Sequence, residues 1–155
     1  MDTTWNRLNL LAQKGDLTHD DRIQFMLLNG LDVLGMDVGT VFYTDGESAH
    51  IKASTEAWQI GKIYPLNEML CQFVFKRGDV LALYDLDTND WQQFSIHPDF
   101  RYTTYIGIPL VVKDMYYGAV FFGAYEQRGE AFSERDVAYL RVLSTSLRAT
   151  LLQTA

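Results

Sequence analysis

The stretch that decides the fold is Tyr102-Thr103-Thr104-Tyr105-Ile106-Gly107-Ile108-Pro109-Leu110-Val111-Val112, then Lys113-Asp114-Met115, then Tyr116-Tyr117-Gly118-Ala119-Val120-Phe121-Phe122-Gly123-Ala124-Tyr125. Both arms are rich in β-branched and aromatic residues, the types that suit a pleated, half-buried surface. With so short a connection they read as one long β-hairpin.

Working outward from it, the downstream segment opens with Ser133 and Asp136 in the spacing of a capping box. The helix that follows carries Val137, Leu140, Leu143, Leu147 and Leu151 as an apolar stripe. A second apolar set on this helix, Ala138, Val142, Ala149 and Leu152, also has to be covered. Upstream, residues 86–101 read as irregular, with a helical turn around Trp91–Ser95, and Val80–Tyr84 is an apolar run suited to a buried strand. Asn67 is expected to cap a helix carrying Met69, Leu70, Phe73 and Val74 and ending at Gly78. A loop through Gly61 and Pro65 precedes it. Val38–Thr44 and Ala49–Ser54 form a second hairpin around Asp45-Gly46, a strong short turn signal. Before that, Thr18 and Asp21 start a helix that runs to Gly35 with Ile23, Met26, Leu27, Leu31 and Leu34 on one face. Residues 4–14 are a further short helical stretch, with Trp5, Leu8, Leu11 and Ala12 at helical spacing.

Strands joined mostly by hairpins, with helices at both ends, imply an α+β fold. A central antiparallel sheet packs the terminal helices (roughly 4–35 and 133–152) on one face. The opposite face, under the middle helix and the irregular segment, is where a pocket is expected. Residues 1–155 carry no repeat, low-complexity tract or Pro-rich linker, and are expected to form one domain.

Composition narrows the function. The chain has 13 basic and 20 acidic residues, a net charge of −7. An acidic surface repels phosphate backbones, so neither nucleic acid nor an anionic membrane is expected as a partner. No apolar run approaches the ~18 residues that a membrane helix requires. A single cysteine, Cys71, excludes an internal disulfide and is compatible with the cytosol, so a soluble cytoplasmic protein is expected.

Two groups of residues look like a known family. Leu66-Asn67-Glu68-Met69-Leu70-Cys71-Gln72-Phe73-Val74 followed by Gly78-Asp79-Val80-Leu81-Ala82-Leu83-Tyr84-Asp85 resembles the mid-section of GAF domains. His97-Pro98, then Tyr105-Ile106-Gly107-Ile108-Pro109-Leu110 and Tyr117-Gly118-Ala119-Val120-Phe121-Phe122, is similar to the later strands of GAF sensors in bacterial signalling proteins. Phe132-Ser133-Glu134-Arg135-Asp136 also matches their last helix start. The resemblance implies a GAF/PAS-like sheet, a pocket beneath the middle segments and a homodimer through the terminal helices.

Several chemistries of that family find no support in the residues. The Asn-Lys pair of cyclic-nucleotide binders is absent, and no cysteine accompanies His97 as bilin attachment at the usual place requires. Free-methionine sulfoxide reductases place a cysteine near Cys71 but resolve their intermediate through a second thiol, which this chain lacks. Asp85-x-Asp87-x-Asn89 imitates a calcium loop, yet its sixth position is Asp90 and its twelfth Ile96. His19, His50 and His97 lack metal-ligand spacing, and His19 and His50 are expected at the surface. No nucleophile elbow or phosphate loop occurs.

What is left is a non-catalytic sensory or regulatory domain, without a cofactor, that answers to a small molecule or a protein partner and acts on a signalling output domain. Cys71, Asp85, His97, Tyr105 and Phe121 are the candidate pocket residues. The rival readings are a Cys71-dependent sulfoxide reductase and a ligand-free dimerisation module. The aromatic residues Trp91, Phe94, Phe100, Tyr102 and Tyr105 read first as core and lid packing, with a ligand cage as the alternative.

Overall fold

The structure, a computed structural model, describes residues 18–86, 94–126 and 128–152. The helix expected at 4–14 lies outside the described residues, as does most of the turn expected at Trp91–Ser95.

Helix α1 spans His19–Leu34 and begins as the sequence suggests. The Thr18 hydroxyl accepts from the Asp21 N–H at 3.1 Å, and the Asp21 carboxylate accepts from the Thr18 N–H at 3.3 Å. The short acid therefore completes the box. Six strands follow: β1 Val38–Thr44, β2 Ser48–Ser54, β3 Ile63–Pro65, β4 Leu81–Leu83, β5 Thr104–Val112 and β6 Met115–Ala124. They form one sheet in the order β3-β2-β1-β6-β5-β4 with every pairing antiparallel. Helix α2, Cys71–Arg77, lies between β3 and β4, and helix α3, Glu134–Leu152, closes the chain.

Three expectations need correction. Asn67 does not cap α2: residues Leu66–Glu68 form a 3-10 turn, Met69 is extended at φ −123°, and the helix starts only at Cys71. Ile63–Pro65, read as loop, is a short edge strand on β2, where Pro65 can sit because its missing donor is not needed by an inner neighbour. The β5–β6 turn is two residues rather than three, Lys113 and Asp114 both having positive φ, 51° and 62°. That is the twist-matched hairpin geometry, reached here without glycine.

Alternation along the strands divides the molecule into two cores. On one face Val41, Ile106, Ile108, Val120 and Phe122 pack against Ile23, Leu27 and Leu34 of α1 and Leu140, Leu143 and Leu147 of α3. The Phe122 ring sits in a slot left by two glycines: a Cβ on Gly30 would fall 2.4 Å from it and one on Gly39 2.6 Å. Helix α1 can thus approach the sheet closely.

The terminal helices are also tied by polar contacts. Arg128 donates to the Leu34 carbonyl at 2.8 Å, satisfying an end group of α1, and pairs with Asp136 of α3 at 3.1 Å. Asp136 completes the Ser133 capping box, accepting from the Ser133 N–H while its own N–H meets the Ser133 hydroxyl. At the other end His19 Nε2 meets the Thr150 carbonyl of α3. His19 is therefore half-buried and structural rather than a plain surface residue.

Candidate functional site

The second core covers the opposite face of the sheet. Phe42 from β1, Tyr105 from β5 and Phe121 from β6 point to that side, since their chain neighbours Val41, Ile106 and Phe122 face the other core. Helix α2 and the segment around Phe100 lie over them and contribute Met69, Leu70, Cys71, Val74, Phe100 and Tyr102.

Cys71 opens α2, and its sulfur is 2.8 Å from the Tyr105 hydroxyl, both groups being buried. The Tyr105 ring stacks on Phe121 with centroids 5.5 Å apart and planes 20° from parallel. Phe100 meets Phe121 edge-on at 5.8 Å, and Tyr64 meets Phe100 edge-on at 4.5 Å. Burial pushes the Cys71 thiol up to about 12, against a smaller opposing effect of the Tyr105 hydroxyl. Burial, with Cys71 beside it, likewise holds Tyr105 well above the ordinary tyrosine value. The interior of this face therefore favours neutral groups.

Of the five candidate residues, Cys71, Tyr105 and Phe121 are brought together. His97 sits at the rim. Its side chain caps the 3-10 turn Pro98–Phe100 by accepting from the Asp99 N–H at 3.0 Å, so the neutral ring carries its proton on Nε2. The His97 N–H donates to the Glu68 carbonyl at 2.8 Å and its ring meets Tyr64 edge-on at 5.0 Å, which binds this segment to the approach to α2. Tyr64 in turn donates to Asp99 at 2.6 Å, and its own ionisation is pushed up by burial and by that carboxylate. Asp85 is half-buried just past β4, next to Leu86, which belongs to the packed cluster.

Sequence reasoning missed a polar group at one end of this face. Thr40 of β1 and Ser54 of β2 are register partners, and both hydroxyls reach the Gln59 Oε1, at 3.0 and 3.1 Å. Gln59 and Thr40 are fully buried. The only hint in the sequence is a polar residue at an inward position of each strand. Among the described residues no group of three or more His, Cys, Asp or Glu could hold a metal ion. No helix among them is long and apolar enough to cross a membrane.

Comparison with known proteins accords with this architecture. The sequence model of the GAF domain matches residues 16–151. Comparison with the curated proteins finds no match. Among solved structures, the GAF domain of an Acinetobacter phosphoenolpyruvate-protein phosphotransferase is 18% identical, with a TM-score of 0.69 over 97% of this chain and 94% of that one. The GAF domain of a two-component sensor histidine kinase from Bacillus halodurans is 20% identical, with a TM-score of 0.63 over 86% and 92%. A type II free methionine-R-sulfoxide reductase from Thermoplasma acidophilum is 14% identical, with a TM-score of 0.64 over 86% and 92%. Likeness at such identities speaks for the fold alone.

Proposed function

The chain belongs to the GAF domain family, and from that premise we propose that it is a non-catalytic sensory domain whose buried face beneath α2 receives a small molecule or a protein contact. GAF domains commonly serve as sensory and regulatory parts of signalling proteins. Cys71, Asp85, His97, Tyr105 and Phe121 are the residues we assign to that face, acting in the cytoplasm on a signalling output domain.

The observation that carries this reading is the state of Cys71. Reduction of a sulfoxide by cysteine needs a thiolate and then a second thiol to resolve the oxidised sulfur. Cys71 is the chain's one cysteine, is 1% exposed and is held protonated. Such a residue packs; it does not attack. A ligand entering this face would redistribute the chain between arrangements of α1 and α3, which pack on the other side of the same strands.

The test is a thermal-shift screen of neutral metabolites with methionine sulfoxide included. A true ligand at ~100 times its dissociation constant adds about 2.7 kcal/mol and raises the melting temperature. Consumption of methionine sulfoxide that disappears in Cys71→Ser would overturn the reading.

The homodimer we propose would form through an exposed face of α3. Ala138, Val142, Thr145, Ala149 and Leu152 are all exposed among the described residues and alternate in steps of four and three, the spacing of a two-helix seam. Val142, 67% exposed, lies near the middle of that row. We expect Val142→Glu to convert a dimer to a monomer in sedimentation while leaving the melting temperature of the fold nearly unchanged. A wild-type chain that sediments as a monomer at high concentration contradicts the seam.

A further inference from the structure

The turn Pro98–Phe100 is capped by a histidine that can reverse its role. His97 Nδ1 accepts from the Asp99 N–H at 3.0 Å, so the cap exists only while that nitrogen keeps its lone pair. The same Nδ1 is 3.8 Å from Asp99 Oδ2, a distance at which a charged ring forms an ion pair. The Asp99 carboxylate also accepts from Tyr64 of β3 at 2.6 Å. His97 is anchored to the approach to α2 by its N–H on the Glu68 carbonyl at 2.8 Å. The turn delivers Phe100, 2% exposed, edge-on to Phe121. Among the described residues, the ionisable groups beside the ring are Tyr64 of β3, Glu68 of the turn before α2, and Asp99 and Arg101 of its own segment. The His97 side chain is 32% exposed, so a proton from solvent reaches it.

We propose that His97 is a pH-sensitive latch on the α2 face, capping the 98–100 turn while neutral and releasing the Asp99 N–H when protonated. A protonated Nδ1 donates and cannot accept, so the ring gives up the backbone contact and turns to the Asp99 carboxylate. Residues 97 and 99 stay in contact, but an imidazolium and a carboxylate replace a ring nitrogen and a backbone N–H. The turn thereby loses its cap, and Phe100 its fixed placement against Phe121. Histidine is the side chain whose charge ordinarily changes between pH 5 and 8, so mild acidity loosens this side of the face and neutrality fastens it. His19 meets the Thr150 carbonyl and His50 stacks on Tyr43, so neither takes part in the turn. The inference rests on the reading that this face receives a signal, and adds the proton as what regulates entry to it.

Nitrogen-resolved NMR of the full chain between pH 5.5 and 8 tests the latch. On acidification the proton shift of the Asp99 amide should move upfield, as that of a released N–H does, with the midpoint of the His97 ring protons. Protection of the residue-97 amide, corrected for intrinsic exchange, should fall about fivefold across that midpoint, roughly one hydrogen bond's worth. His97→Asn supplies a capping acceptor that takes no proton, and both signals should stay flat in it over the same range. An Asp99 amide that ignores the midpoint of the ring overturns the latch. So does a pH response that survives in His97→Asn. An Asp99 amide that moves with no loss of protection at residue 97 overturns the loosening of the turn. Each of these results leaves the sensory reading intact, whereas failure of the whole thermal-shift screen would remove that reading and the regulatory role of the latch with it.

Discussion

Gly118→Ala is expected to cost the domain about 3 kcal/mol or more, a large part of an ordinary stability margin. Gly118 is on β6 opposite Tyr43 of β1, in the middle of the six-stranded sheet. A Cβ there would fall 1.8 Å from the Phe42 carbonyl oxygen and 2.8 Å from its carbon. Those are backbone atoms of the neighbouring strand, so no side chain can turn aside to make room. Either β1 and β6 part, or the β6 backbone rotates and breaks its ladder. Both cores hang on that pair, since Phe42 and Phe121 line one face and Val41 and Phe122 the other. Gly129→Ala is the control, because a Cβ there meets nothing within 4 Å. Urea unfolding of the two variants should differ by the full amount; equal midpoints would mean that the strands are not packed as described.

The second large effect is alkaline unfolding. Cys71 ionises near 9.0 when free and at about 12 when folded. Its neutral form is thus favoured by the fold, and the contribution is complete below pH 9 and lost as pH rises toward 12. Between those limits the unfolded chain holds fewer protons, so stability falls by up to about 1.4 kcal/mol per pH unit from this one group, about 4 kcal/mol in all. Tyr102 and Tyr105, both raised chiefly by burial, add to the fall from pH 10 upward. We expect urea midpoints to drop steeply between pH 9 and 11. In Cys71→Ala the curve should stay flat to about pH 10, where free tyrosine begins to ionise, and then fall. A wild-type curve that is flat to pH 10.5 would show that this face is open to water.

Much of this architecture is legible along the chain because it is governed by near neighbours. Val38–Thr44 is a strand in both readings, since it is a short apolar run, buried from Val38 to Phe42, that Asp45-Gly46 ends; the Asp45 carboxylate accepts from the N–H groups of Glu47 and Ser48, which makes the turn. The capping boxes at Thr18 and Ser133 are likewise local, each closing over three residues. Gly78, with φ 74°, ends α2 as expected. What escaped depends on distant partners. Ile63–Pro65 is a strand only because Ser48–His50 of β2 lies beside it. The start of α2 is set by the extended Met69, whose buried side chain fills the core. Cys71, Tyr105 and Phe121 could be named from the family resemblance and Tyr102 from the aromatic cluster around it, but Gln59 could not. Its place in the core arises from burial, and from hydroxyls on β1 and β2 that meet it only in the folded chain.

If the face beneath α2 receives a signal and performs no chemistry, the reaction of native Cys71 with iodoacetamide should be that of a packed core residue. A buried, protonated thiol should react at least about a hundredfold more slowly than the same residue in the urea-unfolded chain, at every pH from 7 to 9. Rapid alkylation of the folded protein with a midpoint near neutrality would reveal a thiolate poised for reaction, and would contradict the claim.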